Sequence, residues 1–273
     1  MRSIVDVGSG PPLVLIPGLQ GRWEWMRPTV NALGRTFRVL SYTLAGDWGS
    51  RVPFDERLGF DTFIVQIDRV MEEAGIESAD FCGVSYGGLI ALRYAALRPQ
   101  RVRRLVLASA LPPDYEVDQR YNFYRRAPVW LLPVFAIESA HRVSPELRAA
   151  LPTLRERLQM VPQVLRVMAA PVWPLHMKRR MELIRTVDFL ADASQVRAPA
   201  LAITGEPGLD RTVPVQLTRR YLDCLPGTEH VVLDRTGHMG TVTRPAEFAS
   251  IVSSFVSRTA PSRCTVRASR MVG

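Results

Sequence analysis

The stretch Gly83-Val84-Ser85-Tyr86-Gly87 lies between a short apolar run and a helical pattern. The run at 79–82 is typical of a buried strand, and residues 88–97 favour a helix that ends at Arg98-Pro99. A serine at the tip of a sharp strand-to-helix turn needs glycines two positions before and after it. Any Cβ at those positions would collide where the two elements cross. The position of this motif between a strand and a helix therefore makes Ser85 a candidate nucleophile.

Strand and helix patterns alternate on both sides of this motif. Further apolar runs predict strands at residues 4–7, 13–16, 37–42, 104–108, 200–204 and 230–234. Amphipathic patterns predict helices at residues 24–34, 60–74, 215–225 and from Pro245 onward. Because most of these strands contain continuous apolar runs, they are expected to be covered on both faces. The fold class predicted is α/β, a mostly parallel sheet with helices on both faces.

Residues 111–190 interrupt this alternation. They contain helical fragments divided by many prolines and no clear strand. An insertion of this size between two strands must lie outside the sheet, and we interpret it as a helical cap or lid. The predicted organisation is a core domain formed by residues 1–110 and 191–257, the insertion at 111–190, and a basic, disordered tail at 258–273.

The net charge of +9 does not predict a nucleic-acid partner. Lys178 is the only lysine, and the arginines occur singly or in pairs without an aromatic-rich motif, so we expect them at a solvated surface. Three scattered cysteines argue against a disulfide framework or a zinc site, and no cofactor or metal is predicted. The first residues lack the apolar core of a signal peptide, and no apolar stretch is long enough to span a membrane. We expect a cytoplasmic protein, and the sequence leaves its oligomeric state open.

A serine hydroxyl becomes a good nucleophile only when a base removes its proton, and the base needs a carboxylate partner. Loops that follow parallel strands meet at one edge of the sheet, so such partners can come together there. His238 follows the last predicted strand in a loop with glycines, which favours it as the base. The other histidines are placed less well. His141 and His176 fall in the insertion, and His230 opens a strand.

The loop after the strand at 200–204 offers two carboxylates, Glu206 and Asp210. Asp210 is favoured because it lies further along the loop, just before the next helix, although Glu206 and Asp114 stay open as alternatives. Acyl chemistry also needs donors for an oxyanion. We expect them to be the backbone N–H of Tyr86, at a helix start, and that of Leu19, in the loop after the strand at 13–16.

Four motifs together resemble the α/β-hydrolase-fold superfamily, in particular its lid-bearing, carboxylesterase-like members. They are Ile16-Pro17-Gly18-Leu19, the motif around Ser85 extended to Gly88, the segment 199–214 with Asp210, and Gly237-His238 with 244–248. The resemblance spans residues 13–257 in the family order of serine, acid and histidine. Many members have a histidine where this chain has Pro17; proline supplies no N–H, but the expected donor is Leu19.

The resemblance implies a covalent acyl-enzyme. Ser85 would attack a carbonyl, His238 would act as base and then as acid, and Asp210 would orient His238. The partners would be a small apolar acyl substrate and water. The expected pocket residues are Trp130, Leu131, Phe135, Met168, Trp173 and Met239. The lid members of this set serve equally well to fasten the lid to the core.

The leading hypothesis is a hydrolase of carboxylic esters or related acyl compounds. The same three side chains also suit a lactone or C–C bond hydrolase, a perhydrolase or an acyltransferase. A non-catalytic receptor for a small ligand stays open as well, because a fold alone does not imply catalysis.

Overall fold

The computed structural model describes residues 3–116, 132–170 and 172–259. Seven strands form one sheet: β1 (Ile4–Val7), β2 (Pro12–Ile16), β3 (Arg38–Tyr42), β4 (Ala79–Val84), β5 (Val102–Ala108), β6 (Ala200–Thr204) and β7 (Glu229–Val232). Their order is β1-β3-β2-β4-β5-β6-β7. β1 runs antiparallel to β3, and all other neighbours are parallel. The predicted α/β class with a mostly parallel sheet is confirmed.

Helices fill the connections between these strands. They are α1 (Arg27–Leu33), α2 (Thr62–Glu73), α3 (Tyr86–Leu97), α4 (Leu132–Ala150), α5 (Leu154–Ala169), α6 (Pro174–Leu183), α7 (Phe189–Gln195), α8 (Val215–Arg219), α9 (Tyr221–Cys224), α10 (Gly240–Thr243) and α11 (Pro245–Arg258). Short 3₁₀ segments precede α1 and α2 at Trp23–Met26 and Gly59–Asp61. In the residues that the structure describes, no helix is long and apolar enough to cross a membrane.

Side-chain alternation along the strands gives the sheet two apolar faces. In β2, Leu13 and Leu15 join one buried cluster, whereas Val14 and Ile16 join the other. α1 and α11 cover the first face, and α2, α3 and α7 cover the second. Both faces are therefore shielded from water, which explains why the strands carry continuous apolar runs.

The sheet order changes direction at β2. β3 pairs with one side of β2 and β4 with the other. The connection from β2 to β3 therefore runs toward one edge of the sheet, and the connection from β4 to β5 runs toward the other. Such a reversal opens a crevice at the carboxyl ends of the strands, where ligands bind in open α/β sheets. The crevice lies between the loop that starts at Pro17 and the turn that contains Ser85.

Helices α4, α5 and α6 lie between β5 and β6, in the segment interpreted as a cap. Gln163 is the buried side chain of α5, and its amide donates to the carbonyls of Glu24 and Trp25 at 3.1 and 2.9 Å. Helix α7 packs on the core again: the ring centroids of Phe189 and Phe60 are 5.1 Å apart. The tail predicted at 258–273 falls largely outside the described residues.

Two of the differences from the predicted boundaries concern elements near the candidate residues. The helix expected over 215–225 is divided into α8 and α9, because the Arg220 N–H bonds the Leu217 carbonyl only three residues back. The last strand covers Glu229–Val232 instead of residues 230–234. Neither change moves a candidate residue away from the carboxyl edge of the sheet.

Candidate active site

Ser85 stands between β4 and α3 in a strained conformation. Its φ of 55° and ψ of −121° are uncommon for a residue with a Cβ. The end of β5 holds it in place: the Ser85 N–H donates to the Ala108 carbonyl at 2.9 Å, and the Ser85 carbonyl accepts from Leu111 at 3.3 Å. These contacts keep the serine at the tip of the turn, as the motif predicts.

The two glycines of the motif allow the backbones to cross. A methyl group on Gly83 would lie 2.4 Å from the Gly87 carbonyl oxygen, and one on Gly87 would lie 2.5 Å from that of Ile16. Both distances are far below a normal carbon–oxygen contact. β4, α3 and the end of β2 therefore approach more closely than any side chain would permit.

Asp210 and His238 meet at the same edge of the sheet. They follow the adjacent strands β6 and β7, and His238 Nδ1 lies 3.3 Å from Asp210 Oδ2. The other oxygen, Oδ1, accepts from the N–H groups of Thr212 and Val213 at 3.0 and 2.8 Å. A proton on Nδ1 that faces the carboxylate leaves a lone pair on Nε2, as a base requires.

The surroundings of His238 favour its charged form. Burial lowers the pKa of its imidazole, but the charge and hydrogen bond of Asp210 and the charge of Glu146 oppose burial and raise the pKa above the usual histidine value. The neutral ring is the base, so its action is expected to fade as the pH falls through that raised value.

The alternative carboxylates are engaged elsewhere. Glu206 Oε1 accepts from the Arg235 N–H at 2.6 Å, and Asp114 forms an ion pair with Arg220. Among the histidines, His230 Nε2 contacts the Thr204 hydroxyl at 2.9 Å. Asp210 is thus the loop carboxylate that contacts His238.

The loop after β2 lies against Ser85. A methyl group on Gly18 would be 3.3 Å from the Ser85 Cβ, so the peptide that ends in the Leu19 N–H is adjacent to the serine. A turn bond from the Gly21 N–H to the Gly18 carbonyl, at 2.9 Å, shapes this loop. Tyr86 follows Ser85 directly as the first residue of α3. Both expected oxyanion donors therefore belong to backbone that adjoins Ser85.

The expected pocket residues have different surroundings. Trp130, Leu131 and the Phe135 side chain lie outside the described part of the chain. Met168 is 73% exposed, and Trp173 is 40% exposed and stacks on Trp48 with ring centroids 5.9 Å apart. Met239 is half-buried next to His238. Their role in a substrate pocket stays a prediction.

Sequence reasoning missed Glu146, which lies on α4. This carboxylate is 1% exposed and accepts from the Met239 N–H at 2.8 and 3.0 Å. A signal was present, because Glu146 shares one helix face with Val143 and Ala150, three residues before it and four after it. A charged residue on an apolar stripe indicates a buried partner.

Sequence reasoning also missed a charged cluster that joins α6 to the core. Arg180 was expected at the solvent but is 2% exposed; it pairs with the buried Asp47 and donates from Nη1 to the Leu19 carbonyl at 2.7 Å. His176 Nδ1 lies 2.6 Å from Asp47 Oδ1. In the described ranges, no group of three His, Cys, Asp or Glu side chains is arranged to hold a metal ion.

Comparisons with known proteins agree with this architecture. A family model described as the alpha/beta hydrolase fold matches residues 11–245. The 2-hydroxymuconate semialdehyde hydrolase of Pseudomonas sp. (strain CF600) is 29% identical over 269 residues, covering 93% of this chain and 90% of that protein. The 2-hydroxy-6-oxo-2,4-heptadienoate hydrolase of Pseudomonas putida is 25% identical and covers 93% and 92%. An esterase from Exiguobacterium antarcticum has a TM-score of 0.76 at 18% identity, covering 93% and 94%, which is a likeness of fold alone.

Proposed function

Because the chain belongs to the α/β-hydrolase-fold family, whose members similar to it are hydrolases, we propose that it cleaves carboxylic esters or related acyl compounds through an acyl-serine intermediate. The observation that carries this proposal is the contact of His238 with Asp210 at the sheet edge where Ser85 is held in its strained turn. A hydroxyl, an imidazole and a carboxylate in that order form the nucleophile, base and orienting group of acyl transfer.

In the proposed reaction, Ser85 Oγ bonds to the substrate carbonyl carbon while its proton moves to His238 Nε2. The carbonyl oxygen becomes negative and accepts hydrogen bonds from the N–H groups of Leu19 and Tyr86. Each such donor contributes about 3 kcal/mol to lowering the barrier. The proton on His238 then passes to the leaving alcohol as the carbon–oxygen bond breaks, and the acyl group stays on Ser85.

Water completes the cycle. His238 removes a proton from a water molecule, whose oxygen attacks the acyl carbon, and the bond to Ser85 breaks as the proton returns to Oγ. The product is a carboxylic acid, and no other reactant is consumed. The insertion would supply an apolar pocket for a small acyl group, with Trp130, Leu131, Phe135, Met168, Trp173 and Met239 as the proposed lining residues.

A second candidate comes from the relatives. Their names give 2-hydroxymuconate semialdehyde and 2-hydroxy-6-oxo-2,4-heptadienoate as substrates, so hydrolysis of an oxo-acid of this kind, with the same Ser85 and His238, is the alternative activity. A panel of p-nitrophenyl esters of graded chain length, run beside 2-hydroxymuconate semialdehyde, decides between them. The substrate with the highest kcat/KM identifies the activity.

The role of Ser85 is tested with a fluorophosphonate probe, which loses fluoride as the serine oxygen bonds to phosphorus. We expect labelling of the wild type and none of Ser85→Ala. His238→Ala should be labelled at least about 10³-fold more slowly. Ser109→Ala is the matched control, because Ser109 is also buried, directly follows the neighbouring strand β5 and has a positive φ of 41°.

Two results would count against the proposal. Labelling that persists in Ser85→Ala would remove Ser85 as the nucleophile. A wild-type protein that binds acyl compounds without labelling or turnover would instead be a receptor on this fold.

A further inference from the structure

Helix α4 brings a glutamate into the candidate site that the reaction above does not use. Both carboxylate oxygens of Glu146 contact the Met239 N–H, at 2.8 and 3.0 Å. Met239 follows His238 directly, so one buried side chain from the insertion holds the backbone that adjoins His238. The backbone of Gly237, directly before His238, also lowers the pKa of this carboxyl group.

We propose that Glu146 is a positioning residue for His238: it fixes the loop of the base beside Asp210 and places a second negative charge near the imidazole. This inference rests on the proposed function, in which His238 is the base. It adds a residue of the insertion to the machinery and makes the state of the base depend on how the insertion is docked.

The burial of Glu146 is the first argument for this role. An ionised carboxylate that is 1% exposed is costly unless hydrogen bonds or an opposite charge compensate it. The titratable groups that face it are His238 and Asp210. Its compensation therefore consists of the Met239 N–H, the nearby backbone of Gly237 and, whenever the ring is protonated, the imidazolium of His238.

Burial, backbone groups and nearby charges act on the ionisation of Glu146 in opposite directions. Burial is the strongest effect and leaves the pKa of Glu146 above the usual glutamate value, and the charge of Asp210 adds to this, whereas the backbone of Met239 and Gly237 and the charge of His238 partly offset it. Donors aimed at a carboxylate favour its ionised form. When His238 takes the proton of Ser85, the new positive charge thus has two carboxylates beside it.

Helix α4 continues through Glu146 although a proline precedes it. Pro145 lies inside the helix and supplies no N–H for the His141 carbonyl. The Ser144 hydroxyl donates to that carbonyl at 3.3 Å instead. Glu146 is consequently carried by a continuous helix, and a side chain on a helix is held more firmly than one on a loop.

The insertion also contacts the other catalytic loop. Arg180 of α6 donates to the Leu19 carbonyl, so one side chain of the insertion holds the expected oxyanion loop while Glu146 holds the base loop. Undocking the insertion would release both at once. Of Arg180 and Glu146, Glu146 is the one that faces the imidazole of His238. Its removal should therefore shift the titration of His238 in a defined direction.

The test compares Glu146→Gln with Glu138→Gln. Both changes remove one charge from α4, but Glu138 is exposed and paired with Arg142. The four histidine rings are labelled with ¹⁵N and followed through the titration range, and His238 is assigned from the spectrum of His238→Gln. The fluorophosphonate labelling rate is measured over the same pH range, and melting temperatures confirm folding.

We expect the titration of His238 in Glu146→Gln to move to lower pH by at least about 0.5 pH unit, because a charge that favours the imidazolium is gone. The acid limb of the labelling rate should move equally. Glu138→Gln should change neither. Glu146→Asp keeps the charge but shortens the side chain, so its labelling rate should fall by about tenfold or more at all pH values.

A His238 titration that is the same in Glu146→Gln and wild type would overturn the proposal. If Glu146→Gln does not fold, amide exchange of the wild type decides, because a Met239 N–H bonded to a buried carboxylate must be protected and free exchange contradicts the assignment. The nuclear magnetic resonance titration needs no substrate. A failure of Ser85 labelling would therefore refute the proposed function without removing this readout.

Discussion

The two oxygens of the Asp210 carboxylate have different tasks. Oδ1 accepts from the N–H groups of Thr212 and Val213 and fixes the side chain, which leaves Oδ2 to face His238. Only 1% of the Asp210 side chain is exposed, so water does not replace these hydrogen bonds. The contact between Asp210 and His238 therefore depends on which atom occupies the Oδ2 position, and not on the charge of the side chain alone.

Asp210→Asn tests that dependence. The amide oxygen can keep the bonds from Thr212 and Val213, so an NH₂ group faces Nδ1 and the imidazole proton moves to Nε2, the wrong atom for a base. We expect ester hydrolysis and labelling to fall by about 10³- to 10⁴-fold while the melting temperature stays near that of the wild type.

Glu206→Gln is the control for Asp210→Asn, since Glu206 lies on the same loop and its carboxylate accepts from the backbone N–H of Arg235. Its rate should stay within about tenfold of the wild type. A rate for Asp210→Asn in that same range would show that Asp210 does not orient the base.

At the scale of elements, the sequence predicts the features that depend on neighbouring residues, namely the strands and the turn at Ser85. The seven strands lie within two residues of their expected bounds. For the central strands the reason is that a strand covered on both faces must be largely apolar. The turn at Ser85 was predictable because only glycine fits where β4 and α3 cross. These signals need no knowledge of distant contacts.

The insertion was less predictable for the opposite reason. In α5, apolar residues such as Leu154 and Met168 are exposed, and the polar Gln163 is buried because two backbone carbonyls of another segment accept from its amide. Arg180 is buried because Asp47, far away in the sequence, is its partner. Such partners are fixed by tertiary packing, which amphipathic periodicity does not reveal.

Arg180 and Arg179, neighbours on α6, provide a prediction at this scale. Arg180→Ala leaves the buried carboxylate of Asp47 without its guanidinium and should lower the free energy of unfolding by about 3 kcal/mol or more. Arg179 pairs with Glu56 at the surface, so Arg179→Ala should cost less than about 1 kcal/mol. Urea unfolding followed by circular dichroism measures both.

Arg180→Ala should also slow labelling of Ser85, because the Leu19 carbonyl loses its donor and the expected oxyanion loop is less firmly held. Equal stabilities for the two arginine variants would contradict this assignment.

At the scale of the whole molecule, a buried thiol reports on the opening of the sheet. Cys82 lies in the central strand β4 and is fully buried, and burial raises the pKa of its thiol to about 12. The thiolate is the form that attacks a thiol reagent, so Cys82 should react only when β4 is exposed. Its reactivity is therefore a probe of global opening.

The variant Cys224→Ser/Cys264→Ser leaves Cys82 as the only thiol of the chain. At pH 8 without denaturant, we expect it to react at least about 10³-fold more slowly with Ellman's reagent than in urea that unfolds the chain. A native rate within tenfold of the unfolded rate would mean that β4 opens locally.

The pairing of α1 with α11 on one face of the sheet has a consequence for biosynthesis. α11 is the last helix of the described chain to leave the ribosome, yet its Phe248, Val252 and Phe255 close an apolar face whose strands were translated long before. In a nascent chain that ends before Pro245, the part of that face under α11 would be uncovered. Premature termination there should yield a chaperone client or an aggregate, and even a message truncated after the codon for His238 would produce no partly active enzyme.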